Sequence, residues 1–414
     1  MAFEKKRILL ILSLLLLYAF CIGIERLYRN TLFNISVNLI DSNSKNRTSG
    51  LNKFFSFITT FGSAALILPI FGIVFNWFTL ATSFTFIQNY ALAAFINNIF
   101  KLLYNNPRPY WVLNQTEPIY CDGGYGNPSG HAYSSSAVYL ALWHITVNNE
   151  FFIRRKWLKW IYFILMLGFI FSILYSRFYF GVHSINQLLY GTSLGTTQYV
   201  FLFIVMKQHE LKYEKFFEIF TTLWKNIIYW SFYFALLLIL IFVYFFKETD
   251  QTYLNYLKSA CPKMNEYKML KYDGMVNALY IFILYGAHLG ISFLYLLIKR
   301  KYEDKNTLEY IFNFSSSGFI KSILRLLVLA LIVTPTLLPL IFIPDNVNFA
   351  VYSIFKLAIP YMLTLFILYS VGIYVTFTYN LTNNKLSDVN NMESEKEIAP
   401  TKDDRLDKNN INNL

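Results

Sequence analysis

Charged side chains are scarce in this chain. Asp, Glu, Lys and Arg make up only 14% of its 414 residues, whereas 56% of the residues are hydrophobic and the mean hydropathy is positive. This composition argues against a soluble protein and is typical of a polytopic membrane protein. Backbone polar groups in lipid must be satisfied within the protein, and the alternating pattern of membrane strands is missing, so we predict an all-α fold.

Cysteine is also rare. The chain has three cysteines, which are too few for a disulfide scaffold. None of them has the CxxC-like spacing of metal ligands, and we predict no metal and no other cofactor. Cys121 and Cys261 are predicted on the same, oxidising side of the membrane, where a disulfide can form. The sequence does not give the distance between their Cα atoms, so the bonded and the free states both remain open.

Long apolar runs divide the chain. The basic start MAFEKKR precedes a run from Ile8 to Ile24, which is either a cleaved signal peptide or a signal anchor; the large residues near its end favour the anchor. Further runs long enough to cross a hydrocarbon core about 30 Å thick lie near 54–77, 79–100, 132–147, 158–175, 185–206, 227–246, 275–298, 320–343 and 350–377. We therefore predict about nine transmembrane helices plus the N-terminal hydrophobic segment.

Five regions follow from this pattern. We predict a signal anchor or signal peptide at 1–24, a luminal segment at 25–53, core helices that carry the motifs at 54–206, C-terminal transmembrane helices at 207–377 and a disordered cytoplasmic tail at 378–414. The tail is rich in Asn, Lys, Asp and Glu and has almost no aromatic residues, a composition that cannot bury enough apolar surface to fold.

The basic residues indicate the orientation of the chain. They concentrate in three loops, at 154–159, 207–225 and 299–301, which alternate with the loops that carry the motifs. By the positive-inside rule the basic loops are cytoplasmic and the motif loops face the other side. This orientation also accounts for the net charge of +12, so we predict no nucleic-acid partner.

Three polar segments lie on the side that should be poor in Lys and Arg: KLLYNNPRPYW, GNPSGHAYS and YSRFYFGVHSINQ. They contain Lys101 and Arg108, then Ser129, Gly130 and His131, and then Arg177, His183 and Gln187. Any one of these cations alone would most simply be a helix-end side chain that reaches the headgroups. Three together, each beside a Ser, Pro or His motif, favour a site that binds a phosphate group and transfers it.

These segments resemble a known family. K-x6-RP from Lys101 to Pro109, PSGH from Pro128 to His131, and SR-x5-H from Ser176 to His183 are similar, in order, to the three motifs of the type 2 phosphatidic acid phosphatases. That superfamily is related to the vanadium haloperoxidases. The resemblance implies a phosphatase helical core within 54–206.

One departure points to a branch of that superfamily. Gln187 stands four residues after the last histidine, where the superfamily usually has Asp, and this looks like the glucose-6-phosphatase family. RPYW after the first motif, Cys121 with nearby glycines before PSGH, and the sequon at Asn114 are similar to that branch as well. Further sequons at Asn34 and Asn46 predict a glycoprotein.

The residue types suit phosphoryl transfer. Arg108 and Arg177 can each bind two phosphate oxygens and Lys101 adds a compact charge, while Ser129 and the backbone N–H groups at Gly130 and His131 begin a predicted helix, where anions bind. The predicted nucleophile is His183, which forms a phosphohistidine, and the predicted proton donor is His131. Gln187 either orients the ring of His183 or is simply a polar residue at a helix start.

The resemblance therefore implies hydrolysis of glucose 6-phosphate in the lumen of the endoplasmic reticulum, by a multi-pass membrane protein with a luminal active site and a cytoplasmic C-terminal tail. Since the substrate is made in the cytosol and cannot cross a bilayer unaided, a glucose-6-phosphate transporter is the predicted functional partner. A lipid phosphate phosphatase that uses the same residues is the alternative. A transporter or non-catalytic phosphate-binding protein is a third, and it would have no need for two histidines.

Overall fold

The computed structural model describes residues 2–115, 118–148, 150–302, 305–313 and 319–379. Within these ranges the chain forms helices and no β-strand, which confirms the predicted all-α fold. The α-helices are, in chain order, α1 (Ala2–Ser44), α2 (Ser49–Thr60), α3 (Ala64–Trp77), α4 (Leu80–Tyr104), α5 (Pro109–Val112), α6 (Gly130–Val147), α7 (Glu150–Arg154), α8 (Lys156–Tyr179), α9 (Ile185–Tyr199), α10 (Tyr213–Thr221), α11 (Leu223–Phe246), α12 (Gln251–Ala260), α13 (Leu270–Ala278), α14 (Phe282–Tyr302), α15 (Lys305–Phe312), α16 (Phe319–Val333), α17 (Leu338–Phe342), α18 (Phe349–Val351), α19 (Ile359–Ile367) and α20 (Ile373–Thr378). Short 3-10 or π segments continue several of them, at Val200–Met206, Gln208–Glu210, Glu266–Lys268, Leu279–Ile281, Thr334–Leu337, Tyr352–Ala358 and Leu368–Gly372.

Several of these helices are long and apolar enough to cross a membrane, so the chain is a multi-pass membrane protein. In the described ranges, six stretches meet this condition: Lys156–Tyr179, Ile185–Glu210, Leu223–Phe246, Leu270–Arg300, Ile320–Phe342 and Phe349–Thr378. The pair α2 and α3, bent by 45°, makes a seventh if it is one span. These seven correspond to seven of the nine predicted spans, and the other two are α4 and α6.

Helix α4, like α6, differs from the lipid-facing spans because protein surrounds it. It contacts α3, α6, α13 and α14, and most of its side chains are buried. Its polar residues are satisfied inside the bundle: Asn89 donates to the Ala137 carbonyl at 2.8 Å, and Gln198 donates to the Asn89 carbonyl at 2.6 Å. Helices enclosed by protein can carry such polar residues, which lowers their hydropathy below that of a lipid-facing helix.

The N-terminal helix α1 runs through the predicted boundary between residues 24 and 25. The predicted luminal segment 25–53 therefore contains the second half of α1, a short turn and the start of α2. Its polar residues pack against the core: buried Glu25 accepts a hydrogen bond from Asn127 at 2.8 Å, and the hydroxyl of Ser36 accepts one from the Ile185 N–H at 2.9 Å. At the other end of the chain α20 ends at Thr378, and the predicted tail from residue 380 lies outside the described residues.

A long loop between α4 and α6 carries the first two motifs and is tied to the C-terminal half. Cys121 forms a disulfide with Cys261, at a Cα separation of 6.0 Å, which decides between the two states left open above. The hydroxyl of Tyr256 in α12 also donates to the carbonyls of Tyr110 and Gln115, at 3.1 and 2.7 Å. The loop is therefore held in place by contacts with a helix more than 130 residues further along the chain. The two bonded cysteines are 140 residues apart.

Candidate active site

Helix ends bring the three motifs together. Lys101 lies in the last turn of α4, Arg177 in the last turn of α8, and Arg108 is the N-cap of α5. Ser129 is the N-cap of α6, Gly130 and His131 are its first two residues, His183 lies between α8 and α9, and Gln187 is in the first turn of α9. All eight predicted site residues therefore meet at one end of the bundle.

They surround a cavity of about 190 Å³. Lys101, Gly130, His131 and His183 line it directly. The remaining four predicted residues, Arg108, Ser129, Arg177 and Gln187, are buried and bond or adjoin the lining residues. The volume is below the roughly 300–1,000 Å³ of pockets for drug-sized ligands, so the cavity suits a small molecule.

The ring of His183 is fixed on both sides. Its Nδ1 lies 2.9 Å from the Gly126 carbonyl and 3.1 Å from Oε1 of Gln187, and both are acceptors. Nδ1 therefore carries the proton, which leaves the lone pair on Nε2. Nη1 of Arg108 donates to Nε2 at 3.0 Å. Burial, followed by the charges of Arg108 and Arg177, lowers the pKa of His183 well below its usual range, so the ring is neutral.

Gln187 contributes more than one hydrogen bond. Besides its contact with His183, Oε1 accepts from the Ser184 N–H at 3.3 Å, and its Nε2 donates to the Pro107 carbonyl at 2.9 Å. The donor bond to Pro107 fixes which end of the amide faces the histidine. Both interpretations left open by the sequence describe this geometry, because the residue caps the start of α9 and also contacts Nδ1.

Asp122 joins the two arginines, and the sequence analysis missed it. Its Oδ1 accepts from Nη2 of Arg108 at 2.7 Å and its Oδ2 from Nη2 of Arg177 at 2.8 Å. Burial alone would raise the pKa of Asp122, but the two guanidinium groups outweigh that effect and hold it well below the usual range. Its position directly after Cys121, in a glycine-rich loop beside PSGH, was the signal that could have identified it.

The start of α6 offers further anion donors. The hydroxyl of Ser129 accepts a hydrogen bond from the Ala132 N–H at 3.4 Å, as an N-cap does. The first N–H groups of a helix, here at Gly130 and His131, have no partner within the helix and attract anions. Nζ of Lys101 is only 3.9 Å from the position that a side-chain carbon on Gly130 would occupy. A phosphate in the cavity can therefore contact this helix start and Lys101 together.

His131 depends on a close approach by the backbone of Gly62, in the turn between α2 and α3. A Cβ atom at Gly62 would lie 2.7 Å from Cδ2 of the His131 ring, which is shorter than any normal contact. Only glycine therefore allows the ring to occupy this place at the cavity wall. The motif search did not single out Gly62, because it lies outside all three segments.

Other polar residues complete the cavity and were also missed. Asn97 and Asn98 come from α4, upstream of the first motif, and Asp273 and Asn277 come from α13, in the C-terminal half. The sequence analysis assigned no site residue in α13 and only Lys101 in α4, since neither helix carries a recognisable motif at these four positions.

Potential metal ligands cluster at the opposite end of α6. His144, His209 and Glu210 place their ligand atoms within 4.8 Å of one another; they are the only such group of three among the described residues. His144 also contacts the Tyr199 hydroxyl through Nδ1, at 3.1 Å. This cluster does not line the cavity described above.

A comparison with protein families identifies the motif region. The sequence model of the PAP2 superfamily matches residues 82–211. This segment is a PAP2 superfamily domain. The PAP2 domain extends from α4 to the residue after the Gln208–Glu210 turn, and it contains all eight predicted site residues as well as Asp122. The match confirms the resemblance at the level of the superfamily.

One solved structure is similar to about half of the chain. Among solved structures, the chain is similar to the transmembrane PAP2 type phosphatidylglycerolphosphate phosphatase from Bacillus subtilis, with 19% identity and a TM-score of 0.39 over 49% of this chain and 96% of that chain. No curated protein shows significant similarity to the chain. The helices from α10 onward lie outside the PAP2 domain.

Proposed function

We propose that this protein is a membrane-bound phosphatase that hydrolyses a small sugar phosphate, glucose 6-phosphate, through a phosphohistidine at His183. The observation that carries the proposal is the environment of His183. Its Nδ1–H is held by Gly126 and Gln187, and its Nε2 faces a polar cavity beside Arg108. A neutral imidazole with one oriented, unprotonated nitrogen is the form that attacks phosphorus, once the hydrogen bond from Arg108 to Nε2 is released to the phosphate oxygens.

In the first half-reaction Nε2 of His183 forms a bond to phosphorus while the bond from phosphorus to the sugar oxygen breaks. Arg108, Arg177, Lys101 and the N-terminus of α6 stabilise the charge on the phosphoryl oxygens. His131 gives its proton to the departing sugar oxygen, which leaves as an alcohol. The dianionic substrate beside His131 favours the protonated imidazole that this step needs.

In the second half-reaction water replaces the sugar. His131, now neutral, takes a proton from a water molecule whose oxygen attacks phosphorus, and the bond between phosphorus and Nε2 breaks. The products are inorganic phosphate, a regenerated His183 and a protonated His131. The overall balance is one phosphate ester and one water converted into one alcohol and one phosphate.

The side chains that line the cavity support our choice of a sugar phosphate as the proposed substrate. Besides the motif residues it is lined by amide and carboxylate side chains, which suit a polar leaving group. An apolar groove of about 440 Å³ runs along a different face of α4, past Leu92, Phe95 and Ile99, and is lined by none of the eight motif residues. The groove and the cavity share no lining residue, which supports a substrate without acyl chains. Gln187 and RPYW, as in the glucose-6-phosphatase branch, support the same choice.

We place this reaction in the lumen of the endoplasmic reticulum, with the C-terminal end in the cytoplasm. The basic loops on the opposite side support this orientation. The Cys121–Cys261 disulfide supports it as well, because it lies at the motif loop and disulfides persist in oxidising compartments. In this arrangement a glucose-6-phosphate transporter supplies the substrate. The sequons at Asn46 and Asn114 lie in exposed turns on the same side, whereas Asn34 lies within α1.

The test is phosphate release by the purified, detergent-solubilised protein from glucose 6-phosphate and from phosphatidic acid. We expect turnover of the sugar phosphate, a loss of about 10³-fold or more in His183→Ala, and an acid-labile phosphoryl-enzyme in the wild type. His288→Gln, which changes a buried histidine outside the PAP2 domain, is the matched control and should remain active. Turnover of the lipid alone would overturn the substrate, and undiminished turnover by His183→Ala would overturn the nucleophile.

A further inference from the structure

The part of the cavity wall that lies outside the PAP2 domain is polar. Asp273 and Asn277, one helical turn apart in α13, line the same cavity as His131 and His183. In a membrane protein a carboxylate and an amide on one face of a spanning segment are costly unless they meet a partner. We infer that Asp273 and Asn277 bind the hydroxyl groups of the substrate's leaving group, so that the C-terminal half determines the choice of a polyhydroxylated phosphate ester. This inference rests on the proposed function.

The two side chains are held in place as a pair. Oδ1 of Asp273 accepts a hydrogen bond from Nδ2 of Asn277 at 2.9 Å, and the same nitrogen lies 3.0 Å from the Asp273 carbonyl. Among the described residues, the side-chain hydrogen bond within this pair reaches Oδ1 of Asp273 and leaves Oδ2 without a donor. A carboxylate oxygen accepts more than one hydrogen bond, so Asp273 retains capacity for a hydroxyl donor.

Asp273 also sits directly over the motif loop. A Cβ atom on Gly124 would lie 2.0 Å from Oδ2 of Asp273, so the carboxylate can take this position only because Gly124 has no side chain. The carbonyl of Gly124 in turn accepts from Nε of Arg108 at 2.5 Å. Gly124 alone therefore separates Asp273 of α13 from Arg108. The proposed hydroxyl site consequently lies close to the proposed phosphate site.

Helix α4 supplies a second, independent sign of a hydroxylated ligand. Oδ1 of Asn97 and Oδ1 of Asn98 are buried and have no hydrogen-bond partner within the described ranges of the chain. Both residues line the cavity and are less than 5% exposed. A buried acceptor without a partner destabilises the protein, and hydroxyl donors of a ligand would supply the missing bonds. Together the four side chains offer acceptors, which is what a sugar's hydroxyl groups require.

The experiment compares two substrates that share the phosphate but differ in the leaving group. Glucose 6-phosphate has hydroxyl groups to bind, whereas 4-nitrophenyl phosphate has none. In Asp273→Asn and in Asn277→Leu we expect kcat/KM for glucose 6-phosphate to fall about tenfold or more, mainly through KM, which corresponds to one lost hydrogen bond of about 1.4 kcal/mol. Turnover of 4-nitrophenyl phosphate should stay within about twofold of the wild type.

Two controls separate this outcome from a general defect. Glu266→Gln changes an exposed acid that precedes α13 and should leave both substrates unaffected. The melting temperature of each variant checks folding, and Asn277→Ser replaces Asn277→Leu if the latter unfolds. Equal losses for both substrates, or no loss for either, would overturn the inference. A wild-type protein that hydrolyses 4-nitrophenyl phosphate but not glucose 6-phosphate would instead overturn the proposed function, and the hydroxyl site with it.

Discussion

The PAP2 domain and the helices that follow it contribute to one cavity in different ways. The domain places cations and histidines at helix ends, where short motifs reveal them. The helices from α10 to α20 carry no such motif, yet α13 lines the cavity and Cys261 holds the motif loop. Under the proposed function, the first region performs the chemistry on phosphate and the second shapes the space for the leaving group.

Buried arginines illustrate the same contrast. Arg177 in the PAP2 domain pairs with Asp122 beside the cavity. Arg325 in α16 is equally buried, but it donates to the side chain and the carbonyl of Asn76 in α3 and lines no part of the cavity. A buried cation in a membrane protein is therefore not sufficient evidence of a site.

After removal of the nucleophile, the largest effect should come from the residue that links the two arginines. In Asp122→Asn both guanidinium groups lose their shared charge partner, so we expect kcat for glucose 6-phosphate and for 4-nitrophenyl phosphate to fall together, by about 10²-fold. A loss confined to one substrate would contradict this expectation, because it would mean that the PAP2 domain also selects the leaving group.

Thermal unfolding adds a second readout for Asp122→Asn. Inorganic phosphate should raise the melting temperature of this variant more than that of the wild type, since the anion no longer competes with a carboxylate for Arg108 and Arg177. Glu266→Gln serves again as the control for removal of one negative charge. An equal response to phosphate in both proteins would contradict the placement of the substrate phosphate between the arginines.

A smaller effect is expected from Gln187→Glu. Burial and two arginines lower the pKa of His183, and the attacking form is neutral, so the acidic limb of kcat/KM in the wild type lies below pH 6.5. A carboxylate next to Nδ1 stabilises the protonated ring and raises the pKa of His183, so activity is lost at a higher pH as the solution is acidified. Rates at the alkaline end should change little.

The measurement for this variant is kcat/KM across the acidic and neutral range, for both phosphate esters. Gln251→Glu, at the exposed start of α12, is the matched control and should keep the wild-type profile. A limb that stays in place or moves to lower pH would show that Gln187 does not act through the histidine. The shift should be the same for both substrates, which sharpens the assignment of the chemistry to the PAP2 domain.

The smallest effect on catalysis is expected from removal of the covalent link between the two regions. Cys121→Ser with Cys261→Ser should lower stability by about 2–4 kcal/mol, because the disulfide restrains a long stretch of the unfolded chain. Turnover at low temperature should be nearly unchanged, since the hydrogen bonds from Tyr256 still hold the loop. Cys21→Ser is the control, and an equal melting temperature in all three proteins would contradict the expectation.

Much of the fold could be predicted from the sequence because hydropathy reports where a helix meets lipid. Seven of the nine predicted runs correspond to candidate spans. The other two, α4 and α6, are enclosed by protein, and their polar residues lower their mean hydropathy. Likewise Lys101, Arg108, His131 and His183 could be located because their spacing along the chain is fixed by motifs. Asp273 and Gly62 could not, since each contacts a segment far away in sequence, Asp273 at Gly124 and Gly62 at His131.

The attachment of α1 has a practical consequence. A hydrophobic N-terminal segment is often treated as an address that can be exchanged, shortened or fused to a tag. Here Glu25 accepts a hydrogen bond from Asn127, three residues before the start of α6, and Ser36 accepts one from the first residue of α9. Substituting another protein's leader through this helix would disturb the segments that carry both His131 and His183 while leaving every motif intact. Purification tags and reporter fusions therefore belong at the C-terminal end.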